Sequence, residues 1–192
     1  MKSHKRLAVT GLSFLLAITA AASASAAEAG EAPRVTRNAM ATVEKNLDNR
    51  FTRLWDDNPF VVLGNTRGIY LEGYGAVFTA EINLVAGPAA GILPLAITNA
   101  DRARHKDKKL SRLPEFKRAL AKALAETAAS PQMAAVPPDE QIVLVAFLSH
   151  YPWEDLSGMP AQITMQGAKK KLIEAGPTGG ATLEAAIQVA QN

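Results

Sequence analysis

The sequence predicts a single α+β domain, a mostly antiparallel sheet with two or three helices packed on one face. Three observations carry that expectation. Ala76, Phe78, Ala80, Ile82 and Leu84 alternate with Val77, Thr79, Glu81 and Asn83, the two-residue period of a strand with one covered face. Met40, Val43, Leu47, Phe51 and Leu54 recur every three or four residues, the stripe of an amphipathic helix. "QIVLVAFLSH", residues 141–150, is apolar without alternation and has strand length, which predicts a central strand covered on both faces.

The remaining elements follow in chain order. The helix through Met40 places Glu44, Lys45, Asp48 and Arg50 on its solvated side and stops at Asn58-Pro59, because proline drives its predecessor out of the α region. "FVVL" (60–63) reads as a short strand, and "IYLEGYG" leads into the long alternating one. "AAGILPLAIT" is broken by Gly91 and Pro94 and reads as a buried loop. Pro114 suits the first turn of a helix carrying Phe116, Leu120 and Leu124, followed by a linker, "SPQMAAVPPDE". "AQITMQ" is a strand, "GAKKKLIEA" a short helix, and residues 181–190 fit strand and helix periods equally.

The N-terminus reads as an export signal over residues 1–26. Lys2, His4, Lys5 and Arg6 precede the apolar "LAVTGLSFLLAITAAA", and Ala24-Ser25-Ala26 supplies small residues for cleavage after Ala26 or Ala27. Residues 27–37 are a polar lead-in, and 38–192 form the domain. The alternative to cleavage is an anchor, since the apolar stretch is nearly long enough to span a bilayer. No other run reaches that length, so no span is expected after cleavage.

Removing the leader changes the charge balance. The chain has 21 Lys+Arg and 18 Asp+Glu, but residues 1–27 hold Lys2, Lys5 and Arg6 and no acid, leaving 18 against 18. A nucleic-acid protein keeps a basic excess to neutralise phosphates, so that partner is not expected. With no cysteine, thiolate catalysis, thiolate metal sites and disulfides are excluded.

Chemistry-bearing motifs are sparse. G-x-S-x-G, P-loop and H-E-x-x-H patterns are absent, and Gly73-Tyr74-Gly75 lacks the third glycine of a dinucleotide fingerprint. No cofactor is implied. Two groups remain as candidate ligand-binding residues. His150, Trp153, Glu154 and Asp155 lie on a loop after a strand, where a histidine beside carboxylates suits a divalent ion or a general base. Arg67, Tyr70, Glu72 and Tyr74 suit stacking and charge-assisted hydrogen bonds to a sugar or peptide, or else simply form a bend. His105 and its basic run, nine Lys/Arg against three acids over 101–122, read as a solvated helix face or a contact for anionic lipid.

The sequence therefore predicts an exported protein, periplasmic or extracellular, that acts by non-catalytic binding. The alternatives are a small secreted hydrolase, with or without a metal ion, built on the His150–Asp155 loop, and a self-associating assembly or partner-interaction protein.

Overall fold

Two threonines start the long helices. Thr36 accepts the Ala39 N–H at 3.1 Å and opens α1 (Arg37–Thr52). Thr98 and Asp101 form a reciprocal capping box and open α2 (Asn99–Ala129). The computed structural model describes residues 34–55, 61–62, 64–87 and 97–192. The leader, its cleavage point at Ala26 or Ala27, most of the lead-in, Asn58-Pro59 and residues 89–96 of the apolar loop lie outside them.

The strands are β1 (Val61–Val62), β2 (Arg67–Leu71), β3 (Gly75–Asn83), β4 (Gln141–Leu148), β5 (Gln162–Ala168) and β6 (Gln188–Gln191). They form one sheet in the order β1-β3-β4-β5-β6, with β2 beside β1 along the same edge of β3. Every pairing is antiparallel except β3 with β4, whose parallel register runs from Gly75↔Gln141 to Ile82↔Leu148. A parallel pair needs a crossover, and α2 supplies it. Two short helices, α3 (Lys169–Ala175) and α4 (Ala181–Ala186), lie between β5 and β6. Residues 181–190, readable either way in sequence, are both: α4 and then β6.

The core is the layer between helices and sheet, and the described residues belong to one compact unit. Met40, Val43, Leu47 and Phe51 of α1 and Phe116, Leu120 and Leu124 of α2 meet Ala76, Phe78, Ile82, Ile142, Leu144, Ile163 and Met165. Phe51 and Phe116 tilt together with ring centroids 6.1 Å apart, a contact worth about 0.5–1.5 kcal/mol beyond burial.

Four expectations change. α2 does not begin at Pro114: the capping box starts it fifteen residues earlier, and Pro114 sits exposed within the helix. The segment 130–140 is no loose linker, since a 3-10 turn at Pro131–Met133 buries Met133 and Val136. Glu44 and Asp48 are not solvated. Glu44 accepts the Gly68 N–H at 2.7 Å and a two-pronged pair from Arg37, while Asp48 accepts the Thr66 N–H and hydroxyl, so α1 fastens the start of β2. Finally, β4 is central but described helices cover only one of its faces; its odd-numbered side chains point to the other, where Val143 is still buried at 3% exposure while Phe147 is 44% exposed.

Lys169, the first residue of α3, is buried. Its ammonium donates to the carbonyls of Met133 (2.7 Å), Ala134 (3.4 Å) and Val136 (2.6 Å), and burial holds its pKa below the ordinary lysine value. Lys169→Ala leaves buried carbonyls without donors and should cost about 2 kcal/mol or more by urea unfolding. Lys170→Ala and Lys171→Ala, both exposed, should unfold near the wild-type midpoint.

Candidate functional sites

The loop after β4 closes over the carboxyl ends of the parallel pair. Ser149 donates its N–H to the Ile82 carbonyl at 2.8 Å, and Tyr151 accepts the Gly87 N–H on its hydroxyl at 2.9 Å. Tyr151 and Trp153 stack with planes 1° apart and centroids 5.5 Å apart, and the His105 ring meets Trp153 edge-on at 4.9 Å. This aromatic wall removes Glu154, Lys109 and His105 from water: their side chains are 4%, 4% and 9% exposed.

Glu154 is the hub. One oxygen accepts the Tyr151 N–H at 3.0 Å and sits 3.1 Å from His105 Nε2; the other accepts the Lys109 ammonium at 2.5 Å. Lys109 also donates to the Ser149 carbonyl. A carboxylate only accepts, so the partner assigns the proton to His105 Nε2. Burial pushes His105 below its ordinary 6.5, against the opposing pull of Glu154, and burial likewise lowers Lys109. Three donors occupy most of the acceptor sites of Glu154, and its side chain is 4% exposed, which leaves it poorly placed to capture a metal ion or to take a substrate proton.

The other predicted loop residues do not join this hub. Asp155 is exposed and pairs with Lys106 at 2.6 Å, which with Ser157 holds its carboxyl far below the usual range. His150 is exposed on the rim of a cavity of about 50 Å³ lined by Leu84, Lys109, Leu148 and Met159. That is room for a water or two. Among the described residues, no group of three His, Asp or Glu is placed to hold a metal ion.

The second group sits at the opposite end of the strands. Arg67 is exposed in β2, opposite Thr79, on the face away from the helices. Tyr70 points to the helix side and donates to Glu140 at 3.3 Å; Gly73 N–H donates to the same oxygen at 3.0 Å. Glu72 lies exposed in the turn, and Tyr74 reaches Gln166 through its hydroxyl at 3.4 Å. A Cβ on Gly75, at φ +134°, would lie 1.9 Å from the Gln141 carbonyl oxygen, so this glycine serves the β3–β4 approach. Eight residues of strand, about 25 Å, separate the two groups. They do not form one site.

No protein-family model matches this chain, and no curated protein or solved structure is similar to it.

Three residues of the basic run, read from sequence as a solvated helix face or lipid contact, are instead engaged in the interior. His105, Lys109 and Arg112 share one helix stripe, visible only once α2 is extended upstream of Pro114. Arg112 donates to the Leu84 carbonyl at 2.9 Å and lies 4.5 Å over the Trp55 ring. With Lys106 and Lys109 also held by the 149–157 loop, part of the basic run is spent inside the protein rather than offered to lipid.

Glu154→Ala strands the buried Lys109 ammonium and should cost about 3–5 kcal/mol of stability, whereas Asp155→Ala, exposed, should leave the urea midpoint near wild type. Because the folded His105 pKa lies below that of the unfolded chain, the unfolded state binds the proton first and stability falls as pH drops from 6.5. The carboxylates with lowered pKa values titrate below that window. Urea midpoints between pH 7.5 and 5.5 should decline in the wild type and flatten in His105→Gln.

Proposed function

We propose that this is an exported, non-catalytic protein of the cell envelope that works by self-association through the open face of its sheet. The supporting observation is the composition of that face. The strand register lines up Ile69, Val77, Val143, Gln166 and Gln188 in one row and Arg67, Thr79, Val145, Thr164 and Ala190 in the next. Leu71 lies beyond the first row and Glu81, Phe147 and Gln162 beyond the second. Ile69 is 56% exposed, and Leu71, Tyr74 and Phe147 are each 44% exposed. Ile69, Leu71 and Tyr74 cluster near the β2–β3 turn, and Phe147 stands beyond the row of Arg67, Thr79, Val145 and Thr164; exposed apolar clusters rimmed by polar residues mark interaction surfaces.

A second copy fits this face better than a charged partner. Among its described residues the face carries one cation, Arg67, and one anion, Glu81, the latter already accepting the Ser149 hydroxyl at 2.6 Å. Two such faces packed together bury little unpaired charge. The processed chain, with 18 basic and 18 acidic residues, has no net repulsion between copies. At strand spacings of about 4.8 Å and about 3.3 Å per residue the sheet offers roughly 500 Å² of projected area. That approaches the about 800 Å² of accessible surface per partner in a standard interface. The export part of the reading is supported by the N-terminal sequence, the non-catalytic part by the buried, multiply engaged Glu154 and the absence of the familiar catalytic motifs.

Two measurements test it. N-terminal sequencing of the product secreted by a cell expressing the full chain should begin at Ala27 or Glu28. Sedimentation of that product at 5–100 µM should show a dimer, and Phe147→Lys or Ile69→Lys should give a folded monomer. A wild type that stays monomeric throughout, or variants that still dimerise, would refute the reading.

A further inference from the structure

A different observation points to a small-molecule site on the helical side. The last turns of α1 and α2 enclose a groove of about 590 Å³, within the range of pockets that take small ligands. Asn46, Asn49, Arg50 and Arg53 recur at i, i+3, i+4 and i+7, so all four side chains issue from one stripe of α1. Ala123, Glu126, Thr127 and Ser130 repeat that spacing on α2 and form the facing wall. Ala123 and Ser130 are small, which leaves space open between the walls; Val43, Leu47 and Leu54 form an apolar floor.

The charges in the groove are unequal. Arg50 is paired with Glu126, which Lys122 also approaches at 4.0 Å. Arg53 is exposed on the rim with no acidic partner among the described residues. Among the lining residues, two arginines thus face one carboxylate, and Arg53 is the cation left over. A guanidinium with a free fork, amides three residues apart and a hydroxyl at the far wall match a carboxylate attached to a short polar body. Inorganic phosphate or sulfate would satisfy the charge but leave the Asn46 and Asn49 amides and the apolar floor unused. We propose that the α1–α2 groove binds a small organic carboxylate, its carboxylate on Arg53 and its polar body on Asn46, Asn49 and Ser130.

The test is calorimetric titration of the purified protein with succinate and citrate, alongside inorganic phosphate. One of the carboxylates should bind with a submillimolar Kd, at least tenfold tighter than phosphate. Arg53→Ala should weaken it at least tenfold while its urea midpoint and sedimentation stay at wild-type values. Amide shifts on ligand addition should centre on residues 46–54 and 123–130. Absence of binding by both carboxylates at 10 mM, equal affinity for phosphate, or an unaltered Kd in Arg53→Ala would each overturn the proposal. These readouts are independent of self-association, so failure of one reading leaves the other standing.

Discussion

Strand β4 sits in the middle of the sheet with apolar side chains on both of its faces, and the described helices cover only one. Much of the architecture follows from that asymmetry. Ile142, Leu144 and Ala146 are buried against Phe116, Leu120 and Leu124, which ties α2 to the inner face. The same helix must carry the chain from the end of β3 back to the start of β4, so their pairing is parallel. Parallel strands end together, and the loop after β4 therefore meets the first half of α2. Val145 and Phe147 face the other way, into a layer the described chain does not supply.

The charged groups of the polar interior fasten distant segments to one another. Glu154 holds Lys109, His105 and the Tyr151 backbone; Lys169 gathers three carbonyls; Glu44 and Asp48 grip the start of β2. In each case a charged group removed from water is satisfied by several partners from distant segments, and removing one member exposes the others to the full desolvation cost. Such groups fix where loops lie.

The strands and the stripe of α1 were legible because their apolar spacing is the physical cause of their burial. Ala76, Phe78, Ala80 and Ile82 point inward in the structure as their alternation requires. What escaped depends on long-range geometry. Pro114 looks like a helix start, yet Thr98 and Asp101 cap the helix upstream, and that turned His105 and Lys109 from surface residues into buried ones. Glu140, in a proline-rich stretch, receives Tyr70 and Gly73 only because β2 and β4 converge on β3. An unbroken apolar run suggests two covered faces, and the periodicity of β4 cannot say whether the second cover comes from the same chain. The polar stripe of α1 became meaningful only when its counterpart on α2 faced it.

The central claim is that a second copy covers the outer face of β4. Isotope-filtered NOE spectroscopy on a mixture of labelled and unlabelled protein reads that contact directly. The account predicts intermolecular NOEs to the methyl groups of Ile69, Val77 and Val145 and to the Phe147 ring. A dimer whose intermolecular NOEs fall on the α1–α2 side, or a sample giving none at concentrations where the outer-face methyls are fully hydrated, would contradict it.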